Sequence, residues 1–126
     1  HCRRLEKVNL SNNRIGDEGA GHLAAGLALY GALHTLDLNG NGIGDDGATQ
    51  LSTAMPGSPA LSDLSLGSNA VGDVGSMKLA SALAGCQGLT RLSLCDNGIS
   101  DEGATAFAAA LEQAARCGPP ARLLYL

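Results

Sequence analysis

The sequence predicts an α/β solenoid, a right-handed coil with a parallel sheet on its concave face and helices on its convex face. The first observation behind this prediction is a period, because Leu5, Leu33, Leu61 and Leu89 lie 28 residues apart. The second is that each period holds a short alternating stretch followed by a segment rich in Ala and Leu. Two strands joined through a helix run parallel, so the periods are expected to stack side by side.

The predicted strands are short and carry apolar residues at alternate positions. Val8 and Leu10 form the first such pair, and the pair recurs in each later period. Alternation places these side chains on one face of a sheet and the residues between them on the other. We expect four full strands and one partial strand, at about 8–10, 36–38, 64–66, 92–94 and 124–126.

Each predicted helix begins near a column of aspartates and carries apolar residues at helical spacing on one side. A carboxylate there can accept bonds from free N–H groups and favours the positive end of the helix dipole. The glycine column that follows lets neighbouring helices approach closely. The aspartates are Asp17, Asp45, Asp73 and Asp101, and the helices are expected at about 17–29, 45–55, 73–84 and 101–116.

The last helix departs from the period. Its apolar stripe is expected to comprise Ala104, Phe107, Ala108 and Leu111. Four additional residues before the final strand fit about one added turn near Glu112–Arg116. The helix is then expected to end at Gly118, Pro119 and Pro120.

Each period reads LxxLxLxxNxIxDxG ahead of its helix, with Asn13, Asn41, Asn69 and Asn97 as the asparagine column. This unit resembles the leucine-rich repeat, specifically the long ribonuclease-inhibitor type. The same type occurs in nucleotide-binding innate-immune receptors and in the Ran GTPase-activating protein. The resemblance implies an arc of a horseshoe and one domain over 1–126, with repeats at 5–32, 33–60, 61–88 and 89–120 and a partial fifth at 121–126. We expect the chain to be a fragment of a longer protein.

The stretch DLNGNGIGDDGA at 37–48 matches the first half of an EF-hand calcium loop. Asp37, Asn39 and Asn41 occupy alternate positions, but Ala48 stands where the loop requires glutamate. The parallel stretches of the other repeats keep the repeat pattern and lose the calcium pattern. The stretch is therefore interpreted as a strand end, a turn and a helix start, with the Asn41 amide turned inward to backbone groups. No metal or cofactor is expected.

Composition narrows the classes of function. The net charge is −4, and the only basic cluster is Arg3, Arg4 and Lys7, which argues against nucleic acid as a partner. No apolar run has the roughly 18 residues that a membrane span needs. The four cysteines form no CxxC pair and no zinc spacing, which favours an intracellular, reducing, cytoplasmic setting. Cys86 and Cys117 lie in neighbouring predicted loops, and their pairing stays open.

The candidate binding surface is the concave face of the sheet, which this fold class uses to grip proteins. We predict that a protein partner contacts the residues between and after the leucines. Arg91 and Tyr125 are the two residues of the types that dominate binding hot spots, so the contacts are expected to be polar and individually modest. The alternative is that small polar side chains simply keep a sheet soluble. The predicted set is Lys7, Asn9, Thr35, Asp37, Asn39, Asp63, Ser65, Arg91, Ser93, Asp96 and Tyr125.

Catalysis and a small-molecule substrate are not expected. His22 is placed on a helix and His34 in a loop, and neither shares a predicted face with Cys95. The resemblance to the Ran GTPase-activating protein raises a second class, an activator or regulator of a small GTPase. That activity depends on particular polar and arginine residues at the rim of the arc, and those residues cannot be matched to positions in this sequence.

Overall fold

The computed structural model describes residues 4–116 and 123–125. Five strands form one parallel sheet whose spatial order equals their order in the chain. The strands are Lys7–Asn9 (β1), Thr35–Asp37 (β2), Asp63–Ser65 (β3), Arg91–Ser93 (β4) and Leu123–Tyr125 (β5). The helices are Gly16–Leu27 (α1), Asp45–Ala54 (α2), Asp73–Ala82 (α3) and Asp101–Arg116 (α4). Cys117, the predicted helix stop at Gly118, Pro119 and Pro120, and Leu126 lie outside the described residues.

This architecture confirms the α/β solenoid. Neighbouring strands pair in a register of one period, with Val8 opposite Leu36 and Leu64 opposite Leu92. Each strand begins one residue earlier than predicted, because the backbone ladder already starts where Thr35 N donates to Glu6 O at 3.0 Å. The leucines show which side chains are buried. The limits of a strand depend instead on the backbone hydrogen bonds, which begin one residue earlier.

The helices also follow the prediction, with small shifts at their ends. Helix α1 begins at Gly16 and ends at Leu27, two residues before its predicted end. Helices α2 and α3 each pass into a 3₁₀ turn, at Met55–Gly57 and Leu83–Gly85. Helix α4 runs for 16 residues to Arg116, which confirms the added turn.

The core lies between the sheet and the helices. Leu36, Leu64 and Leu92 are at most 1% exposed, and so are Leu51, Leu79 and Phe107 on the helices. Phe107 is the largest fully buried side chain. With few aromatic residues available, the core is filled by aliphatic side chains contributed by every repeat.

The asparagine column joins adjacent repeats through backbone groups. Asn41 Nδ2 donates to Leu10 O at 2.9 Å and to Leu38 O at 3.0 Å. Its Oδ1 accepts from Asn13 N at 3.1 Å and from Ile15 N at 3.4 Å. Asn69 and Asn97 repeat this pattern along the stack. The inward-turned amide is therefore confirmed, and each such amide satisfies groups of two repeats at once.

The carboxylates of the aspartate column bond the start of the helix in the next repeat. Asp17 Oδ1 accepts from Gly44 N at 2.7 Å and from Gly47 N at 2.9 Å, which open the helix of the next repeat. Asp45 does the same for Gly72 and Gly75, both at 2.8 Å. Each aspartate does lie in the first turn of its own helix, as expected, but the N–H groups that its carboxylate is seen to bond belong to the next repeat. Each carboxylate thus couples one repeat to the next.

The glycine column allows close helix packing, as predicted. A Cβ atom placed on Gly47 would lie 3.1 Å from Ala20 Cβ, and one on Gly75 would lie 3.0 Å from Ala48 Cβ. Such distances are too short for a comfortable carbon contact. The small residues on α1, α2 and α3 are therefore required by the spacing of the helices.

Two residues of the predicted α4 stripe are not buried. Ala104 and Ala108 are exposed, whereas Ala20 and Ala48, which precede Ala104 in the same column, are 0% exposed. The inner helices are covered on this side by the following helix, and no helix follows α4 among the described residues. The prediction for Ala104 and Ala108 was wrong because the sequence repeats while the packing environment does not.

The hydrogen bonds that Asp73 accepts from the next repeat make the stability of the fold depend on pH. Ser100 donates to Asp73 through its hydroxyl and through its N–H, and together with Gly103 N–H these bonds hold the pKa of Asp73 below its usual value. A carboxyl whose pKa is lower in the folded state stabilises above its unfolded pKa of about 3.9, and loses that effect as the pH falls through the folded pKa. We expect Asp73→Asn to lower the urea midpoint at pH 7 and to reduce the decline of that midpoint below about pH 4.

Asp101→Asn is the matched control for that titration. Asp101 belongs to the same column, but its carboxylate is exposed and accepts no hydrogen bond from the described residues. We expect its substitution to change the urea midpoint at pH 7 less than Asp73→Asn does. Equal profiles for Asp73→Asn and the wild type would contradict the assigned role of Asp73.

Candidate functional site

The predicted binding residues form two rows across the sheet. In β2, β3 and β4 the first and third residues point away from the core, because the middle residue is the buried one. One row is Lys7, Thr35, Asp63, Arg91 and Leu123, and the other is Asn9, Asp37, Ser65, Ser93 and Tyr125. Asn39 and Asp96 follow their strands. The strands thus bring the predicted residues onto one face, where the described side chains are half-buried or exposed. Tyr125 is placed by its backbone, opposite Ser93.

An ion pair lies in the middle of the first row. Arg91 Nη1 lies 3.4 Å from Asp63 Oδ2, with the arginine side chain 50% exposed and the aspartate 25% exposed. The other carboxylate oxygen of Asp63 is buried and has no hydrogen-bond partner. An exposed pair of this kind adds about 1 kcal/mol or less to stability. Its main effect is to hold the guanidinium over the sheet, where another molecule can reach it.

Several residues of the second row and of the loops after it already accept hydrogen bonds within the stack. Asp37 Oδ1 accepts from Asn39 N at 3.0 Å, and Asn39 Oδ1 accepts from Gly67 N at 2.6 Å. Asp96 Oδ2 accepts from Ser68 Oγ at 3.0 Å. These side chains order the loops that follow the strands. They leave fewer free acceptors on this edge of the sheet than the sequence suggests.

The three residues of the suspected calcium loop are used in the same way. The side-chain oxygens of Asp37, Asn39 and Asn41 accept hydrogen bonds from backbone N–H groups in three different repeats. An EF-hand requires such oxygens to converge on one point. The stretch therefore serves the coupling of repeats. Among the described residues, no three His, Cys, Asp or Glu side chains are grouped as metal ligands would be.

A row of left-handed residues runs along the edge of the sheet where the strands end. Asn12, Ser68 and Asp96 have φ between 53° and 58°, and Gly40 has φ of 66° at the equivalent position. The same turn therefore recurs in all four repeats. A column made of Asn, Gly, Ser and Asp could have indicated it, since Gly, Asn and Asp adopt this conformation more readily than other residues.

The sequence interpretation also missed contacts across repeats at the opposite edge. Ser62 Oγ donates to His34 O at 3.1 Å, and Thr90 Oγ1 donates to Ser62 O at 3.1 Å. The Asp63–Arg91 pair was missed as well. The ion pair was detectable as two opposite charges one period apart, since such residues lie on neighbouring strands.

The residues considered for catalysis remain separate. His22 lies on α1, with Nε2 3.9 Å from Glu18 Oε1, and both side chains are more than 80% exposed. Cys95 is an exposed free thiol in the loop after β4. Cys86 is buried, at 5% exposed. This arrangement places no histidine beside a thiol among these described residues.

No helix among the described residues combines the length and the apolar character that crossing a membrane requires.

Comparison with known proteins supports the fold. A family model described as "Leucine Rich repeat" matches residues 1–24, 33–52, 57–80 and 85–108. Comparison with curated protein sequences gives no match. Among solved structures, the actin-binding site 2 of leiomodin-1 superposes with a TM-score of 0.84, covering 95% of this chain and 70% of that one. At 17% sequence identity this likeness concerns the fold alone. Since the family model covers more than half of the sequence, the chain belongs to the leucine-rich-repeat family.

Proposed function

We propose that this chain is a non-catalytic protein-interaction module that binds a protein partner on the concave face of its sheet. The observation that carries the proposal is the pair of polar rows, which the stack presents on one continuous surface. Repeat solenoids use extended surfaces of this kind for recognition. An intracellular setting, inferred from cysteine usage, is part of the same proposal.

The charges of the face favour a polar and specific contact. The charged side chains are of both signs, so the surface is mixed in charge: Lys7, Asp37, Asp63, Arg91 and Asp96. Arg91 is half-exposed and ordered by Asp63, which lowers the entropy cost of engaging it. Arginine is among the residues that dominate binding hot spots. We therefore assign Arg91 as the central anchor of the described part of the face.

Site-specific photo-crosslinking tests the location of the face. A photoreactive residue is placed at Ser65 or Ser93 on the sheet, and at Thr53 or Ser81 on the helices as matched controls of similar size. The full chain is then exposed to lysate of the source cells. We expect the sheet positions to crosslink to one protein and the helix positions not to do so. Crosslinks confined to the helix positions would overturn the proposal.

An exchange of charges tests the role of Arg91. The double variant Asp63→Arg with Arg91→Asp retains an ion pair between β3 and β4 while it reverses the pattern that a partner meets. We expect unchanged thermal stability and a loss of affinity of at least about tenfold for the crosslinked protein. Retained affinity would remove Arg91 and Asp63 from the interface.

Regulation of a small GTPase is the alternative, and it rests only on the resemblance of the repeat type. GTP hydrolysis by a panel of small GTPases, with and without the chain, tests it. The alternative expects stimulated hydrolysis, and the interaction proposal expects none.

A further inference from the structure

Three Asn–Gly pairs occur in the chain, at residues 39–40, 41–42 and 97–98. An asparagine followed by glycine is prone to deamidation, because no side chain of the glycine shields its backbone nitrogen. That nitrogen attacks the carbonyl carbon of the asparagine side chain, and the amide nitrogen leaves as ammonia. The three pairs have the same two residues, so the fold decides how readily each of them reacts.

The side-chain amides of Asn41 and Asn97 are held at both of their polar atoms. Each Nδ2 donates to three carbonyl oxygens, and each Oδ1 accepts from the backbone of the repeat before it. Departure of the nitrogen would break these donated bonds at once. Gly98 N also donates to Val71 O at 2.9 Å. Gly42 N bonds none of the described residues, but Asn41, which it would attack, is 2% exposed. The fold therefore protects both pairs.

The side-chain amide of Asn39 is held at its oxygen alone. Oδ1 accepts from Gly67 N at 2.6 Å, and Nδ2 bonds none of the described residues. The residue is half-buried and lies in the loop directly after β2. The nitrogen that must leave can therefore take up a proton and depart into solvent without the loss of a hydrogen bond to the protein.

Gly67 also orients the groups that would react. Gly40 N donates to Gly67 O at 3.0 Å, so the side-chain carbonyl of Asn39 and the N–H of Gly40 both point toward Gly67. Gly67 N–H stabilises the negative charge that collects on Oδ1 during the attack, as a donor of an oxyanion hole does. The bond from Gly40 N must open before this nitrogen can attack. The rate is therefore set by local opening of the loop, which needs less free energy than global unfolding.

We propose that the Asn39–Gly40 pair is a site of spontaneous deamidation in the folded protein, with water as the co-reactant. Gly40 N forms a bond to Asn39 Cγ and gives its proton to water, while the Cγ–Nδ2 bond breaks and ammonia leaves. Water then opens the resulting succinimide ring. Opening at Cγ gives aspartate, and opening at the backbone carbonyl carbon gives isoaspartate. The net change is the gain of one water and the loss of one ammonia, with no oxidation or reduction.

The two products differ in their effect on the stack. Aspartate at position 39 keeps an oxygen that can accept from Gly67 N, and it adds one negative charge at this edge of the sheet. Isoaspartate adds a methylene to the main chain, which displaces Gly40 N from Gly67 O. The fold therefore tolerates the first product and is loosened locally by the second.

Mass spectrometry of the full chain tests the proposal without any substitution. One sample is kept folded at mildly alkaline pH, and a second is kept unfolded in guanidinium chloride at the same pH. Both are digested in acid, and fragmentation assigns the mass gain of deamidation to Asn39, Asn41 or Asn97. For each residue, the rate in the folded chain is divided by the rate in the unfolded chain, which removes differences that the local sequence causes.

We expect this ratio to be at least about tenfold higher at Asn39 than at Asn41 or Asn97, because only Asn39 reacts after a local opening. Equal ratios would mean that all three residues react after global unfolding, and they would overturn the proposal. A ratio at Asn39 below that of either other residue would overturn it as well.

Replacement by aspartate supplies an independent readout. The Asn39→Asp form keeps the acceptor for Gly67 N, whereas the Asn41→Asp form turns a carboxylate toward three carbonyl oxygens. We expect the unfolding midpoint of Asn39→Asp to stay close to that of the wild type and the midpoint of Asn41→Asp to fall. Failure of Asn41→Asp to fold counts as the expected loss. Equal losses in the two forms would contradict the unbonded Nδ2 assigned to Asn39.

Discussion

Replacing Asn41 by alanine should destabilise the protein by about 3 kcal/mol or more. The side chain is 2% exposed and bonds backbone groups of two repeats, including Leu10 O, Leu38 O and Asn13 N. Alanine would leave these groups buried without partners, and each unsatisfied group costs about 1–3 kcal/mol. Part of this cost is recovered where water enters near the edge of the sheet. Chemical denaturation followed by circular dichroism measures the change.

Asn13→Ala is the control for this prediction. Asn13 belongs to the same column but is exposed, and within the described part of the chain its amide bonds only Leu10 O and Ser11 O. We expect a loss of about 1 kcal/mol or less, since exposed backbone groups can bond to water. If the two substitutions cost the same, the role of Asn41 in joining repeats would be refuted.

Leu66→Ala should cost about 3–4 kcal/mol. Leu66 is 0% exposed and lies directly after β3, near the middle of the stack. Truncation removes buried methyl groups and leaves a cavity that close-packed neighbours on both sides cannot fill. Differential scanning calorimetry would show a melting temperature lower by roughly 10 °C or more for a domain of this size.

Leu10→Ala makes the same chemical change at the edge. Leu10 is equivalent to Leu66 but is only partly buried and lines an open apolar cleft beside the first repeat. Leu10 buries less apolar surface than Leu66, and its surroundings are open. We therefore expect the loss in the free energy of unfolding to be about half or less of that at Leu66. A larger loss at Leu10 than at Leu66 would mean that the edge is closed in solution.

Much of the fold was predictable because the interactions that define it are repeated. The period located the strands to within one residue and the helix starts to within one residue, because a leucine column is buried only when the strands pair in that register. The asparagine column predicted an inward amide correctly. The binding face was predictable as a face, since alternation alone assigns residues to one side of a sheet. Its role in binding stays a prediction.

Contacts between repeats were harder to infer from single positions. The sequence places Asp17 at a helix start but does not say which helix, because two helix termini compete for one carboxylate. The Asp63–Arg91 pair required both the register and the side-chain directions. Ala104 has the same neighbours in sequence as a buried alanine and is nonetheless exposed.

The sequence by itself determined the period, the alternation of strand and helix, and the side chains that every repeat turns inward. These properties depend on spacing along the chain and on the free energy of removing apolar groups from water. The tertiary structure decided which helix each aspartate caps, how Arg91 is held, and where the stack leaves an open apolar edge. Those outcomes depend on groups one period apart in sequence, which become neighbours only when the repeats have stacked.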